Sequence, residues 1–262
     1  FSMWRDPYAY LAEFTGALAL AANGERTIGV NIDREADFEI YRLVHLATSV
    51  NYRVALADQD DRLLIGGIAP ASNLFGDGQR PFRLPGARLI KRTNQIRTRA
   101  LDRSGAPNTV RQLFIGAQIF PAPPFVIPPW RFAEPYTLEV NFGAEATDDF
   151  AQVPANGSAE GSIRIPGDSW FEVHTLQISR TAAATIQLLT NGFREWFRSP
   201  IHVDLLGASD FTTALNSSAQ WPYELRPAKL LPVNTAVVVR LADLSAALNS
   251  VRVTLTGLRR YY

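Results

Sequence analysis

A set of residues in the first half of this chain recurs in the second half at a constant distance. Six positions are identical when the second residue number exceeds the first by 141: Arg99/Arg240, Asp102/Asp243, Asn108/Asn249, Val110/Val251, Arg111/Arg252 and Gly116/Gly257. A fixed spacing over this many identities, flanked by similar apolar residues, indicates an internal duplication. Any chemistry that both copies needed should then be present in both.

The repeat extends toward the beginning of each half, with a spacing that changes in steps. The further matches are Pro81-Phe82-Arg83-Leu84 with Pro222-Tyr223-Glu224-Leu225 at 141, Ala22-Asn23-Gly24 with Ala155-Asn156-Gly157 and Phe38-Glu39-Ile40 with Phe171-Glu172-Val173 at 133, and Asp6-Pro7-Tyr8 with Glu134-Pro135-Tyr136 at 128. Such steps indicate insertions, which concentrate in surface loops.

The duplication predicts two domains joined by a short connector. We expect a first domain over residues 1–120 and a second over residues 134–262, each long enough to bury its own core. Between them, residues 121–133 hold five prolines and end near Trp130. Because proline restricts φ and resists helix, this strap is predicted to be extended and semi-rigid.

The composition is that of a folded globular protein and excludes several kinds of chemistry. The chain has 262 residues, of which 47% are hydrophobic, and a formal net charge of +1. So small a charge argues against a broad electrostatic grip on nucleic acid. The absence of cysteine excludes disulfides, thiolate catalysis and cysteine-ligated metals. The apolar residues 17–22 are too few to span a bilayer and follow no basic n-region, so we do not predict a secretory signal there.

Strand patterns dominate both halves, and turn residues separate them. Segments that alternate apolar and polar residues with period two are 27–32, 38–44, 52–56, 110–115, 162–165 and 251–255. Asn191-Gly192 between two such runs is typical of a hairpin. The helix candidates are residues 8–19 and residues 243–248, the second read as a one-turn loop. About seven or eight strands per copy predict an all-β protein of two tandem antiparallel β-sandwiches, a double jelly roll.

One strand differs between the copies in a way that points to an interface. Residues 95–99 alternate and carry Arg97 and Arg99 on a wet face, whereas Val237, Val238 and Val239 form a continuous apolar run. Such a run is typical of a strand buried on both faces, although β-branched residues also simply favour strands. Arginine and tryptophan are both enriched in interfaces. The candidate interface residues are Val237, Val238, Val239, Trp130, Arg97 and Arg99.

No constellation in the sequence predicts catalysis, a cofactor or a metal site. His45, His174 and His202 do not match across the copies and lack ligand spacing. The acidic run 58–61 lacks the glycine and the distant glutamate of a calcium loop, and a solvated hairpin turn fits it better. Residues 76–78 lack the third glycine of a dinucleotide fingerprint. We therefore expect a protein that is not an enzyme.

The tryptophans of the second copy allow two interpretations. Trp170, Trp196 and Trp221, with Tyr223 nearby, could stack on sugar rings if they lay on an open sheet face. Core and interface packing is the simpler interpretation, because aromatic residues bury large areas and fit strands.

Several segments of the first copy resemble a type of bacteriophage virion structural protein. These segments are Asp6-Pro-Tyr-Ala-Tyr-Leu-Ala-Glu13, Ala36-Asp37-Phe38, Leu74-Phe-Gly-Asp-Gly-Gln-Arg-Pro-Phe82-Arg-Leu-Pro85 and Ile115-Gly-Ala-Gln-Ile-Phe120. The resemblance implies a role in building a phage particle. Two sandwiches in one short chain also resemble the double jelly-roll coat proteins of icosahedral viruses, in which three copies form a pseudo-hexagonal capsomer.

Three functions follow as hypotheses. The first is a coat protein located in the virion, which associates with itself as a homotrimer and with other virion proteins, without specific nucleic-acid binding or a cofactor. The second is a decoration or head–tail component of a tailed phage. The third is a carbohydrate-binding or adhesin module that uses the three tryptophans. The sequence leaves membrane contact open.

Overall fold

The computed structural model describes residues 3–64, 66–190, 194–210 and 222–262. Almost all of the regular structure is β-strand, and the helices of these ranges are the short 3₁₀ segments Gly16–Leu18, Ala71–Asn73 and Val203–Leu206. The chain divides into two compact units, Phe1–Ala122 (unit 1) and Pro123–Tyr262 (unit 2).

Unit 1 is a sandwich of two four-stranded antiparallel sheets. Its strands are β1 (Trp4–Phe14), β2 (Glu25–Asn31), β3 (Asp37–Ala47), β4 (Tyr52–Asp58), β5 (Ala69–Pro70), β6 (Phe82–Ile90), β7 (Gln95–Asp102) and β8 (Val110–Phe120). The sheet orders are β1-β8-β3-β6 and β2-β7-β4-β5. Alternate side chains from both sheets, among them Tyr10, Phe38, Val54, Ile96 and Phe114, form the core between them. This strand order is that of a jelly roll.

Unit 2 has the same arrangement with extra short strands. Its strands are β9 (Phe132–Gly143), β10 (Phe150–Ala151), β11 (Ser158–Arg164), β12 (Trp170–Arg180), β13 (Ala184–Thr190), β14 (Arg194–Glu195), β15 (Ile201–His202), β16 (Ser209–Asp210), β17 (Tyr223–Leu231), β18 (Ala236–Asp243) and β19 (Val251–Tyr261). In one sheet the order is β9-β19-β12-β17, with β10 and β16 at its margins, and in the other β11-β18-β13, with β14 and β15 both on β13. The fold is therefore the predicted all-β double jelly roll.

The predicted helix over residues 8–19 is wrong. β1 occupies Trp4–Phe14 and pairs with β8 along its whole length, and only Gly16–Leu18 turn as a 3₁₀ helix. Tyr8, Tyr10 and Phe14 enter the core with period two, which a helix could not provide. Residues 244–248 form no helix, and Asn191-Gly192 lies outside the described residues, although β13 and β14 on either side do pair antiparallel.

The repeated glycines lie where two strands approach too closely for a side chain. Gly116 faces Ile40 at a register shift between β3 and β8, and Gly257 faces Val173 at the corresponding shift between β12 and β19. A Cβ on Gly116 would lie 1.7 Å from the carbonyl oxygen of Glu39, and the equivalent contact at Gly257 would be 1.9 Å. The repeat therefore preserves a steric requirement of the sheet.

Substitution of either glycine by alanine should destabilise its own unit. For Gly116→Ala and Gly257→Ala we expect a loss of roughly 2–4 kcal/mol in the free energy of unfolding, because the backbone must move apart to admit the methyl group. The measurement is chemical denaturation followed by circular dichroism. Gly86→Ala is the control, since its Cβ would meet no atom within 4 Å. Equal stability of Gly116→Ala and Gly86→Ala would contradict this interpretation.

Candidate functional site

A buried carboxylate joins three loops at one end of unit 1. Oδ2 of Asp102 accepts hydrogen bonds from the backbone N–H groups of Asn23 at 3.0 Å and Ser104 at 3.1 Å. Its Oδ1 accepts from the Ser104 hydroxyl at 2.8 Å and from Nδ2 of Asn108 at 3.2 Å. Asn108 continues to the third loop, donating to the carbonyl of Ser49 at 2.8 Å and accepting from its N–H at 3.0 Å. We call this cluster the Asp–Asn node.

Unit 2 contains the same node with equivalent residues. Oδ2 of Asp243 accepts from the N–H groups of Asn156 at 3.0 Å and Ser245 at 2.8 Å. Its Oδ1 accepts from the Ser245 hydroxyl and from Nδ2 of Asn249, both at 3.0 Å. Asn249 bonds both backbone groups of Ala182, at 2.9 and 3.0 Å. We call the end of each sandwich at which its node lies the loop end.

The node keeps a negative charge inside the protein. Burial raises the pKa of Asp102 and of Asp243, but the hydrogen bonds donated to each carboxylate outweigh it, and both pKa values lie below the usual range. Asn23 and Asn156 adopt the left-handed conformation, with φ of 55° and 50°, and their N–H groups donate to the carboxylates. Asparagine tolerates this conformation better than most residues, which explains the repeated Ala-Asn-Gly.

The serine of each node was not among the repeated residues identified from the sequence. Ser104 and Ser245 are also identical at the spacing of 141, so a search for further identities within the repeat could have found them. The identical Arg99 and Arg240 lie outside the node. Arg99 donates to both carboxylate oxygens of Glu25 at 2.5 and 2.7 Å, and Arg240 donates to Glu160 at 2.6 Å.

The apolar run of β18 is not buried on both faces. Val237 and Val239 point into the core of unit 2 and are fully buried, whereas Val238 is half-buried on the outer face between Ser162 and Leu189. Val237 and Val239 are therefore core residues of unit 2, because the two-residue period of a strand directs them inward. Val238 stays a candidate.

The other candidate interface residues have partners within their own unit. Trp130 is half-buried, with its ring centroid 5.5 Å from that of Trp170, which also contacts Phe125 at 5.2 Å. Arg97 donates to Asp61 at 2.5 Å on the outer face of β7. The strap aromatics thus pack within unit 2, and an interface role for Arg97, Arg99 and Trp130 stays a prediction.

The strands that are buried on both faces are β1 and β8. Every residue from Asp6 to Ala12 and from Gln112 to Ile119 is buried. Both strands contain long, nearly continuous apolar runs, which are the signal expected of a doubly covered strand. The apolar runs of β1 and β8, and not residues 236–240, were the signal in the sequence for strands covered on both faces.

The histidines are scattered; His45 and His202 take part in packing, whereas His174 is exposed. Nδ1 of His45 lies 2.7 Å from the Tyr52 hydroxyl, and burial lowers the pKa of His45. His174 lies 3.2 Å from Glu172, and His202 is buried at the start of a 3₁₀ helix. Within the part of the chain that the structure describes, no group of three or more histidine, cysteine or acidic side chains could hold a metal ion.

Two of the three candidate sugar-stacking tryptophans are not accessible. Trp170 and Trp196 are both buried, and the ammonium group of Lys229 lies 5.5 Å from the centroid of the Trp196 ring. Trp221 lies outside the described residues. The described tryptophans of β12 and of the segment after β14 therefore pack as core residues.

A cleft opens at the loop end of unit 2, beside its Asp–Asn node. It has a volume of about 310 Å³, and its lining includes Gly143, Glu145, Asp148, Thr181, Ser250 and Arg252. The Arg252 guanidinium is 3.9 Å from Glu145 and 3.8 Å from Asp148, which is beyond hydrogen-bond distance.

Removal of the asparagine amide should destabilise each unit through its node. For Asn108→Ala and Asn249→Ala we expect a loss of roughly 2–3 kcal/mol in the free energy of unfolding, because a buried carboxylate and two backbone groups each lose a partner. Arg103→Ala and Leu244→Ala are matched controls, since both residues are exposed and directly follow the node aspartate. Thermal denaturation of all four variants is the measurement, and equal midpoints for node variants and controls would contradict the proposed role.

None of the helices in the described ranges has the length and hydropathy needed to cross a bilayer.

No protein-family model matches the sequence, and no curated protein matches it significantly.

Solved structures to which this chain is similar include a bacteriophage capsid protein and an exported protein. The major capsid protein P2 from bacteriophage PM2 matches with 11% identity and a TM-score of 0.27 over 99% of this chain and 98% of that chain. The PBSX exported protein XepA matches with 13% identity and a TM-score of 0.23 over 94% and 86%. The infectious bursal disease virus Gx strain matches with 10% identity and a TM-score of 0.19 over 100% and 76%. The jelly-roll assignment rests on the strand order and not on these matches.

Proposed function

We propose that this chain is a structural protein of a bacteriophage virion, and specifically a coat protein that builds the shell through trimers. The segments of unit 1 that resemble phage virion proteins support this proposal. So does the fold, because jelly rolls are common in viral capsids. Many unrelated functions share one fold, and the roles of the repeated residues distinguish among them here.

The observation that carries the proposal is that the repeated residues maintain the framework. Asp102, Asn108 and their equivalents fasten loops, and Gly116 permits close strand contact. A duplicated enzyme or binding module would be expected to repeat a nucleophile, an acid–base pair or a ligand set. Two sandwiches whose repeated residues hold loops and strands in place, with surface arginines among the further identities, are suited to serve as building blocks.

A trimer is the assembly that we propose for these building blocks. Three chains with two similar sandwiches each would place six sandwiches around one axis, a nearly hexagonal tile that can cover a shell. We propose that the outer faces of β7 and β18 contribute contacts between chains. Arg97 and Arg99 would contribute charge there, and Val238 would contribute apolar area.

Determination of the mass in solution tests this proposal. We expect light scattering to give three times the 29.0 kDa of one chain, about 87 kDa. The double variant Arg97→Ala/Arg99→Ala should dissociate at protein concentrations at which the wild type remains trimeric, since both guanidinium groups would be lost from the interface. The exposed Arg88→Ala on β6 is the control. A strictly monomeric wild type over a hundredfold concentration range would contradict trimeric assembly.

A further inference from the structure

The β7–β8 loop of unit 1 and the β18–β19 loop of unit 2 share a framework and differ at their tips. In unit 1 the Ser104 hydroxyl accepts a hydrogen bond from the N–H of Ala106 at 3.3 Å, and in unit 2 the Ser245 hydroxyl accepts one from the N–H of Ala247 at 3.3 Å. The exposed tip residues are Arg103, Gly105, Ala106 and Pro107 in unit 1 and Leu244, Ala246, Ala247 and Leu248 in unit 2. The loop conformation therefore does not require the leucines.

The tip of unit 2, residues 244–248, presents apolar surface on a rigid support. Leu244 is 48% exposed and Leu248 is 60% exposed. The node holds the loop on both sides of the tip, through Asp243 and Asn249. A contact made by a fixed loop loses little conformational entropy on binding, so even a small apolar tip can contribute to association.

The cleft of unit 2 lies next to this tip. Ser250, in its lining, directly follows the loop, and its N–H donates to the Thr181 hydroxyl on the opposite side at 2.9 Å. A cavity of about 150 Å³ accommodates benzene, so a cleft of about 310 Å³, roughly twice that volume, has room for two leucine side chains. One end of unit 2 thus carries an apolar protrusion and a cleft side by side.

The rim of the cleft carries a positive and a negative side chain close together. Arg252 and Glu145 stand on it with side chains 46% and 71% exposed, 3.9 Å apart. When two copies of such a surface meet around a two-fold axis, the positive group of each can face the negative group of the other. A surface that carries both a protrusion and a cleft, and both signs of charge, has the self-complementarity that a two-fold contact requires.

We propose that the loop end of unit 2 docks on the loop end of unit 2 in a second copy of this chain. Leu244 and Leu248 of each copy enter the cleft of the other, and Arg252 of each faces Glu145 of the other. The inference rests on the proposed function, because in a shell of coat trimers this contact would join one trimer to the next. A contact of this size is weak alone, and many such contacts in a shell act together.

Sedimentation velocity over a concentration series tests the contact. The wild type should form species larger than the trimer at high concentration. Leu244→Ser/Leu248→Ser should weaken that step more than about tenfold while leaving the trimer intact, because the apolar area of the contact is lost. Leu18→Ser/Val50→Ser is the matched control, because these side chains are 51% and 61% exposed on loops of unit 1.

A charge exchange provides a second test that does not depend on the leucines. Arg252→Glu alone should abolish the higher species, and Glu145→Arg/Arg252→Glu should restore them, since the exchanged charges face each other again. Trimers whose further association is absent, or is unaffected by these variants, would overturn the inference and leave the proposed function standing. Dimers that form through the loop end without any trimers would contradict the proposed function and support the inference.

Discussion

Each unit of this protein depends on one buried, charged carboxylate that three loops share. A jelly roll joins its two sheets through loops that cross from one to the other, and strand pairing does not hold those loops. Asp102 and Asp243 hold them, because each carboxylate accepts hydrogen bonds from its own loop and from a neighbouring one. Moving the loop of Asn23 or Asn156 would leave a buried charge short of a partner, which costs several kcal/mol. Moving the third loop would break the backbone hydrogen bonds that Asn108 or Asn249 makes to it.

The two units keep their framework and vary their surfaces. Gly116 and Gly257 admit no side chain, and the node residues admit few alternatives, so these positions are the same in both. Exposed positions close to them are free to differ, as Arg103 and Leu244 do on equivalent loops. Two sandwiches that share a framework but differ in surface residues can contact different neighbours in an assembly. This agrees with the proposed role as a building block.

The sequence was most informative where local geometry dictates residue type. The repeat and the period-two segments predicted the jelly rolls, and the identities at 102, 108 and 116 marked the positions that fasten loops and strands. Prediction failed where burial depends on the rest of the fold. The residue pattern over 8–19 suggested a helix, but residues up to Phe14 form a strand because they pair with β8. The apolar run Val237 to Val239 suggested a strand buried on both faces, but a strand directs only every second side chain inward. Propensity could not show which face of a strand is covered.

The most direct measurement of the central claim is native-state hydrogen exchange of the loop amides. The N–H groups that bond the nodes, those of Asn23, Ser49, Asn156 and Ala182, should exchange as slowly as core strand amides, because they open only when the whole unit unfolds. Amides at the exposed tips should exchange quickly. If the node amides exchanged as fast as the tips, the carboxylates would not hold the loops, and this account of the fold would be wrong.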